Sequence, residues 1–371
     1  MKKFVVTPWE VKGKVNYEKL IKNFGIKPID EKLLEKIKEH TKELHFMLRR
    51  KIFFAHRDLD WILKKFEEGE EFFLYTGRGP SGITHIGHLI PWIFTKWLQK
   101  KFKSEVYFQL TEDEKFLVKR NLSLEQTTSY AYDNILDIIA CGFKPNKTFI
   151  FLNTEYSKTQ YKIAIQIAKH ITFSTVKAAF GFKNSSNIGI VFFPAMQAVP
   201  CFLPSILKGK NIPCLIPAAV DRDVFWRSIA RYVAPKLGFY KPAQIHSKFV
   251  PGLQGEKMSA SKPETCIFTT DTKNQVKKKI LKAFTGGRKT IEEQIKKGGK
   301  PEICSVYQYY YFLFEPNDKK IKKIYEDCKS GKRICGDCKK ELIKKVNNFL
   351  AQHQKRRKRA KMLVEKYIVR D

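Results

Sequence analysis

Apolar and polar positions follow a regular pattern through the middle of the chain. Short apolar runs, typical of buried strands, occupy 72–75, 106–111, 148–152, 211–217 and 243–250. The segments between them have the 3.6-residue period of helices, at 89–100, 123–140, 161–180 and 223–237. Strands that alternate with helices in this way predict an α/β fold with a parallel, doubly wound sheet. Ligands bind such sheets at the carboxyl ends of the strands.

The regions on either side of this alternation have a different pattern. Residues 1–70 predict a mostly helical piece, in which Asp30 is the N-cap of an amphipathic helix. After residue 268 the strand pattern ends, and helices are predicted at 273–284, 316–329 and 339–367. We therefore expect three domains: an N-terminal extension (1–70) packed on a central α/β domain (71–268), and a helical C-terminal domain (269–371).

The net charge of the chain indicates what kind of partner it binds. The chain has 71 Lys and Arg against 37 Asp and Glu, a formal net charge of +34. A field of this size favours polyanions such as nucleic acid or anionic lipid, although a lysine-rich composition explains part of it. Half of the excess falls within residues 271–371. The helical C-terminal domain is therefore the expected polyanion-binding part.

Composition also indicates the compartment. No run of about 18 uninterrupted apolar residues occurs, which predicts that the chain has no membrane span. Eight cysteines without framework spacing favour a reducing compartment, so a cytoplasmic protein is expected. Cys335 and Cys338, with Cys328 and His353 nearby, could suggest zinc, but their number and spacing are poor. Structural cysteines are the better interpretation, and no metal site is predicted.

A glycine-rich turn follows the first predicted strand of the sheet. It reads Tyr75-Thr-Gly-Arg-Gly-Pro-Ser-Gly-Ile-Thr-His-Ile-Gly-His88 and leads into a predicted helix. A strand, a tight loop and a helix N-terminus offer backbone N–H groups and a positive dipole end to a phosphate. Its glycines match the dinucleotide fingerprint of dehydrogenases, whereas its histidines suit nucleotidyl transfer with ATP. The turn alone leaves both alternatives open.

A second motif favours one of these alternatives. The segment Gly255-Glu-Lys-Met-Ser-Ala-Ser261 places a lysine and two serines in a flexible context, which suits a transferring triphosphate. A dehydrogenase has no use for this loop. It would also need an acidic residue at a strand end about 20 residues after Gly82, and none is found there. The two motifs together favour nucleotidyl transfer.

These residues resemble a known family. His85-Ile-Gly-His88 with Lys257-Met-Ser-Ala-Ser261 is the paired signature of class I aminoacyl-tRNA synthetases. The longer string that begins Leu74-Tyr-Thr-Gly-Arg-Gly-Pro-Ser is similar to the tryptophanyl-tRNA synthetases of the eukaryotic and archaeal type, and the resemblance covers nearly the whole chain. It implies a Rossmann-like catalytic domain, a helical anticodon-binding domain, and a homodimer. Such an enzyme uses ATP and Mg²⁺ to join L-tryptophan to the tRNA for tryptophan.

The resemblance also implies which residues bind ATP. His85 and His88 would contact the phosphates, Lys257 would follow the leaving pyrophosphate, and Mg²⁺ would bridge the β and γ groups. These three side chains are the implied catalytic residues. The other implied ATP-binding residues are Thr76, Gly77, Arg78, Gly87, Met258, Ser259 and Ser261.

A tryptophan pocket has its own chemical requirements. The indole N–H only donates, so it needs an acceptor, and the substrate ammonium needs a carboxylate. The family pattern implies Tyr75 and Gln109 near the indole nitrogen, with Glu114 and Gln197 near the amino-acid end. Each also has a purely structural interpretation, as a strand-end aromatic, a satisfied polar group or a solvated carboxylate.

One position departs from the family pattern. Asp221-Arg222-Asp223 stands where these enzymes usually have Asp-Gln-Asp. Arg222 could pair with the tryptophan carboxylate or turn away to a neighbouring aspartate, and both alternatives stay open. Two rival functions also remain: a tyrosyl-tRNA synthetase, which has the same fold and loops, and a non-catalytic RNA-binding relative.

Overall fold

The protein is described by a computed structural model that covers residues 5–6, 11–12, 16–255, 258 and 262–371. The chain forms two compact units. The first comprises the described residues up to Gly82, with Pro91–Lys248 and Ala360–Asp371; the second comprises Ile83–Ile90 and Phe249–Arg359. The functional division predicted at residues 70 and 268 stays a prediction.

The strands all belong to the first unit. They are β1 (Val5–Val6), β2 (Val11–Lys12), β3 (Lys27–Pro28), β4 (Phe53–Arg57), β5 (Phe73–Arg78), β6 (Val106–Leu110), β7 (Thr148–Leu152), β8 (Cys214–Ala219) and β9 (Ala243–Ser247). β1 and β2 form an antiparallel pair, and the other seven form one sheet in the order β3-β4-β9-β8-β5-β6-β7. The five strands from β9 to β7 are parallel, and β4 and β3 continue the sheet with antiparallel pairing.

The helices up to residue 233 precede, separate or follow these strands along the chain. They are α1 (Tyr17–Phe24), α2 (Glu31–Thr41), α3 (Phe46–Arg49), α4 (Leu59–Glu67), α5 (Ile86–Phe102), α6 (Glu112–Val118), α7 (Leu124–Ala140), α8 (Ser157–Ala168), α9 (Phe173–Phe180), α10 (Ile188–Ala198), α11 (Leu203–Leu207), α12 (Asp223–Phe225) and α13 (Arg231–Val233). Between α12 and α13 the chain is π-helical over Trp226–Ala230.

The second unit is helical after its irregular start. Its helices are α14 (Lys273–Leu281), α15 (Ile291–Lys297), α16 (Ser305–Tyr309), α17 (Asp318–Lys329) and α18 (Cys335–Ala360). None of the helices in the described ranges is long and apolar enough to cross a membrane.

The order of the strands places a ligand site beside β5. From β5 the chain adds β6 and then β7 on one side of the sheet, whereas β8 and β9 lie on the other side. The reversal of strand order next to β5 creates a crevice at the carboxyl ends of the strands, where open α/β sheets bind their ligands. The residues at the carboxyl ends of β5, β6 and β8 are therefore the expected ligand-binding residues.

Several predicted elements differ in their bounds from the structure. The first predicted strand, 72–75, is wrong at its end, because the strand continues through Gly77 to Arg78 in register with β6. The predicted helix at 161–180 is two helices, α8 and α9, since the chain turns between Ala168 and Phe173. The predicted helix at 339–367 ends at Ala360, after which the chain rejoins the first unit, where Ile368 pairs with Ile150.

Candidate active site

Tyr75 and Gln109 form a buried pair on neighbouring strands. Tyr75 lies on β5 and Gln109 on β6, and only 2% and 1% of their surfaces are exposed. The Tyr75 hydroxyl donates to Gln109 Oε1 at 2.6 Å and approaches the backbone carbonyl of Gln197 at 3.1 Å. Burial raises the pKa of Tyr75 well above its usual value, so the phenol stays protonated. The sequence-predicted residues Tyr75, Gln109 and Gln197 therefore meet at one point.

The amide of Gln109 has a fixed orientation. Its Nε2 donates to Asn153 Oδ1 at 2.9 Å and to the carbonyl oxygen of Met196 at 3.2 Å. Both amide hydrogens are thus used, and Oε1 faces Tyr75. Asn153 follows β7 and was not predicted by the sequence analysis, because nothing in its local pattern distinguishes it from a polar residue at a strand end.

The side chain of Gln197 has unused hydrogen-bonding capacity. Its Oε1 is buried and accepts no hydrogen bond from the described residues. A buried polar atom without a partner is uncommon and costs about 1–3 kcal/mol. Because the backbone of the same residue contacts the Tyr75 hydroxyl, this side-chain oxygen is a candidate acceptor for a polar ligand group.

Glu114 is paired with a lysine that the sequence analysis missed. Lys115 Nζ lies 2.8 Å from Glu114 Oε1, and the other carboxylate oxygen accepts from the hydroxyl of Thr111 at 2.9 Å. Burial works against ionisation of Glu114, but Lys115 and then the more distant charge of Arg222 act in the opposite direction. Together they leave the pKa of Glu114 below its usual range. The carboxylate is therefore charged, and the interpretation of Glu114 as a solvated loop residue is wrong because it is buried.

Two glycines allow this close packing. A Cβ on Gly77 would lie 2.8 Å from the backbone oxygen of Gln109, and one on Gly79 would lie 2.1 Å from Lys115 Cε. Both distances are too short for real contacts. The glycines that resembled a dinucleotide fingerprint thus serve the approach of β6 and α6 to β5.

Arg78 and Asn134 hold the glycine-rich turn. Arg78 Nε donates to Asn134 Oδ1 at 3.0 Å, and Asn134 Nδ2 donates to the carbonyl of Gly82 at 3.1 Å. The Nη2 of Arg78 is buried without a partner among the described residues. Burial, and next the positive charge of Arg222, lower the pKa of Arg78 to about 10, so it is still cationic at neutral pH. Thr76, two positions earlier, is buried and pairs in register with Phe108.

Arg222 lies just after β8. Its Nε is 3.9 Å from Asp221 Oδ2, a long distance for an ion pair, and its guanidinium stacks over Phe225 at 5.4 Å. Asp223 receives two hydrogen bonds from Arg57, each 3.1 Å long. Of the two neighbouring aspartates, Asp221 is therefore the one that Arg222 approaches. The positive charge of Arg222 acts to lower the pKa values of Arg78, Glu114 and Lys115.

The two signature histidines are in the second unit. The N–H of His85 donates to His88 Nδ1 at 3.2 Å, the N–H of Gly87 donates to His85 Nδ1 at 3.2 Å, and the two rings stack at 3.7 Å. An Nδ1 that accepts a hydrogen bond carries no proton, so each neutral ring has its proton on Nε2. In each ring Nε2 is therefore the donor nitrogen.

Gly87, another residue of the predicted ATP site, packs closely against His85 and Met258. A Cβ on Gly87 would lie 3.0 Å from the His85 ring and 3.2 Å from the sulfur of Met258, which is buried. A side chain at 87 would therefore be tight against both neighbours, which favours glycine. Lys257, Ser259 and Ser261, which flank Met258, lie outside the described residues.

The described cysteines of the second unit form no disulfide bonds. Burial, and then the nearby thiols of Cys304, Cys335 and Cys338, raise the pKa of Cys328 to about 11. Across the described ranges, no group of three or more His, Cys, Asp or Glu side chains is arranged to hold a metal ion.

Comparison with known proteins gives the class to which this fold and this site belong. The profile of the family "tRNA synthetases class I (W and Y)" matches residues 67–201 and 224–351. The chain belongs to this family. Among its relatives are proteins named tryptophan–tRNA ligase, from Pyrococcus horikoshii with 56% identity over 99% of this chain and 94% of the relative, and from Saccharolobus solfataricus with 53% identity over 97% and 94%.

Solved structures agree with this result. The tryptophanyl-tRNA synthetase from Giardia lamblia is 38% identical and covers 96% of each chain with a TM-score of 0.89. The enzyme from Encephalitozoon cuniculi, bound to tryptophan, is 36% identical, with a TM-score of 0.87 over 96% of this chain and 98% of that one. The predicted family, the Rossmann-like fold class and the enzyme class, an ATP-dependent aminoacyl-tRNA ligase, are confirmed.

Proposed function

We propose that this chain is a tryptophan–tRNA ligase. It activates L-tryptophan with ATP to tryptophanyl-adenylate and pyrophosphate, and then transfers tryptophan to the 3′ end of its tRNA. The observation that carries this proposal is the buried Tyr75–Gln109 pair on the neighbouring strands β5 and β6, with the charged carboxylate of Glu114 on the helix that follows β6.

The Tyr75–Gln109 pair suits an indole ring. The hydroxyl hydrogen of Tyr75 is used within the protein, and so are both amide hydrogens of Gln109. The two groups therefore offer only lone pairs to a ligand, and an indole N–H can only donate. The ring of Trp226, edge-on to Tyr75 at 5.1 Å, supplies an apolar wall for an aromatic substrate.

The amino-acid end of tryptophan needs charged and polar partners. Glu114 is the carboxylate for the substrate ammonium, and Gln197 contributes its unpartnered Oε1 to the same end. Arg222 stands where the family has glutamine, and its loose contact with Asp221 leaves it suited to the substrate carboxylate. We assign these three residues to the amino-acid end of the pocket.

The activation step needs positioning and positive charge. A carboxylate oxygen of tryptophan attacks the α-phosphorus of ATP, the bond to the bridging oxygen of the β-phosphate breaks, and pyrophosphate leaves with that oxygen. The nucleophile is already ionised at neutral pH, so no general base is required. His85 and His88 donate from Nε2 to phosphate oxygens, Lys257 follows the pyrophosphate, and Thr76, Gly77 and Arg78 form the floor. Gly87, Met258, Ser259 and Ser261 complete the proposed ATP contacts.

Magnesium enters this scheme as part of the substrate. Mg²⁺ prefers oxygen ligands and commonly keeps several waters while it binds nucleotide phosphates. The described residues offer no cluster of carboxylates that would hold it as a resident ion. We therefore propose that Mg²⁺ would enter with ATP as part of the substrate, where it would supply positive charge to the phosphates.

The remaining partners follow from the family resemblance. The basic C-terminal domain, 269–371, is proposed to read the anticodon of tRNA, and the active form is proposed to be a homodimer, which analytical ultracentrifugation tests. No disulfide joins the eight cysteines, all of which the structure describes, and this supports a reducing compartment such as the cytoplasm.

Amino-acid-dependent exchange of pyrophosphate into ATP tests the main proposal. Exchange with tryptophan and little with tyrosine is expected. Exchange with tyrosine but not tryptophan would instead identify a tyrosine enzyme of the same fold, and the absence of exchange with any amino acid would identify a non-catalytic RNA-binding relative.

A further inference from the structure

Four side chains of the first unit form a hydrogen-bonded relay, Tyr75–Gln109–Asn153–Asp113, in which every bond points the same way. Tyr75 donates to Gln109 Oε1 at 2.6 Å, and Gln109 Nε2 donates to Asn153 Oδ1 at 2.9 Å. Asn153 Nδ2 in turn donates to Asp113 Oδ1 at 2.9 Å. Gln109 and Asn153 therefore each accept from the side of Tyr75 and donate toward Asp113.

The direction of the relay is set at Asp113 and supported by the carbonyl of Met196, which accepts from Gln109 Nε2 at 3.2 Å. Asp113 Oδ1 also accepts the backbone N–H of Glu114 at 2.8 Å. An oxygen that receives two N–H donors acts as an acceptor whether the carboxyl group is ionised or carries a proton on Oδ2. Asp113 Oδ1 accepts from the NH₂ of Asn153, so the side-chain oxygen of Asn153 faces Gln109. The NH₂ of Gln109 faces that oxygen, and the Gln109 oxygen is left for Tyr75.

The direction matters at the substrate end. With Gln109 Oε1 beside it, the Tyr75 hydroxyl donates its hydrogen bond within the protein and presents a lone pair to the ligand. If the Gln109 amide were reversed, its NH₂ would face Tyr75 and occupy a lone pair of the hydroxyl, whose own hydrogen would go to the Gln197 carbonyl or toward the ligand. An indole N–H would then meet an occupied lone pair or another donor. Hydrogen bonds in a chain also polarise one another, which makes the Tyr75 oxygen a better acceptor.

We propose that Asn153 and Asp113 are positioning residues that make the pocket select a ring with an N–H donor. Asn153 is 1% exposed, so it acts through Gln109 and not by contact with substrate. This inference rests on the proposed function, because it assumes that Tyr75 and Gln109 face the indole nitrogen.

The test compares two amino acids of the same shape. Pyrophosphate exchange is measured with L-tryptophan and with β-(3-benzothienyl)-L-alanine, in which sulfur replaces the indole N–H. Asn153→Ala and Asp113→Ala should lower kcat/KM for tryptophan by roughly 10- to 100-fold, as expected for a buried hydrogen bond, and for the analogue by less than about threefold. Asp113→Asn keeps an oxygen at Oδ1 and should retain the wild-type preference.

Gln99→Ala is the matched control. Gln99 is a buried amide of the same unit, and its Nε2 donates to Thr148 Oγ1 at 2.8 Å and to the carbonyl of Lys147 at 3.0 Å. Its loss should lower the unfolding temperature without changing the preference for tryptophan over the analogue. If Asn153→Ala does not fold, the two Asp113 variants still decide.

Equal losses for both amino acids would overturn the proposal, and so would an unchanged preference in folded Asn153→Ala. Failure of the proposed function gives a different result. In that case the wild-type chain itself would show no exchange with tryptophan.

Discussion

Lys115 lies beside Glu114 with 2.8 Å between its Nζ and Glu114 Oε1, and the two side chains are only 16% and 6% exposed. Lys115 reaches this position because residue 79 has no side chain. The pair is therefore both an element of stability and, if Glu114 binds the substrate ammonium, part of the tryptophan pocket. These two roles are separable by mutation.

Glu114→Ala should weaken both stability and the use of tryptophan. The substitution leaves a buried ammonium without its partner, which costs roughly 3 kcal/mol. It also removes the proposed partner of the substrate, so KM for tryptophan should rise at least tenfold in pyrophosphate exchange. Combination with Lys115→Met should restore much of the stability without restoring KM. Recovery of both properties in the double variant would contradict the proposed role of Glu114.

Gly77→Ala should destabilise the sheet. The new Cβ would meet the backbone oxygen of Gln109 at 2.8 Å, and backbone cannot move aside as a flexible side chain does. Chemical denaturation should show a loss of about 1–3 kcal/mol. Gly336→Ala is the control, because nothing lies within 4 Å of that position on helix α18. It should be neutral or slightly stabilising; equal losses in the two variants would refute the argument.

Asp113 should make folding stability depend on pH. Burial, and then the nearby charge of Glu112, raise the pKa of Asp113 to about 7 from 3.8. The folded state therefore binds this proton more tightly than the unfolded state does. Its contribution to stability is fully present below pH 3.8 and is lost as pH rises toward about 7.

Comparison with Asp113→Asn isolates this contribution. Between pH 5 and pH 8 the variant should gain roughly 1–3 kcal/mol relative to the wild-type chain, measured as free energy of unfolding. Asp337→Asn, at a carboxylate that is 62% exposed, should follow the wild-type curve. Parallel curves for Asp113→Asn and the wild-type chain would show that Asp113 does not titrate in this range.

Lys257→Ala should slow adenylate formation. A cation that stabilises the departing pyrophosphate acts mainly in the transition state, and loss of one such donor commonly costs about 10²- to 10³-fold. Single-turnover formation of the adenylate measures this step, while tryptophan affinity should stay the same. Lys273→Ala, at an exposed lysine on helix α14, serves as the control. An unchanged single-turnover rate would remove Lys257 from the mechanism.

Binding of tRNA should weaken steeply with salt. Each phosphate contacted by Lys or Arg releases counterions, so log affinity should fall linearly with log salt, with a slope of about −0.7 to −0.9 per contact. Lys355→Glu with Lys358→Glu, on the exposed surface of α18, should reduce this slope. The same change at Lys19 and Lys22 in α1 keeps the net charge matched and should have little effect. A flat salt response would count against the basic C-terminal surface.

The fold was largely predictable from local pattern. The apolar run 148–152 coincides with β7, and the helix predicted at 123–140 is α7, which begins after a capping box formed by Ser123 and Gln126. In contrast, β3 and β4 were not predicted, because a two-residue strand and a strand with interleaved basic residues acquire their structure from neighbours in the sheet. Sheet order likewise depends on contacts between residues far apart in sequence.

The candidate site was predicted from motifs more than from physics. The residues Tyr75, Gln109 and Gln197 do meet, but their pattern alone would not have shown it, since 122 positions separate Tyr75 from Gln197. Lys115, Asn134 and Asn153 were missed because their significance lies in distant partners. A lysine next to a glutamate is ordinary in a sequence; that this one is buried under a glycine becomes visible only in three dimensions.

The antiparallel pairing of β4 with β9 has a consequence for shortened versions of the chain. β9 is buried along its whole length, and β4 occupies its hydrogen-bonding edge. Removal of residues 1–57 would uncover a flat row of unpaired backbone groups on an apolar strand, the kind of edge through which chains join into aggregates. The N-terminal segment therefore covers the edge of the sheet. A fragment without it is expected to aggregate.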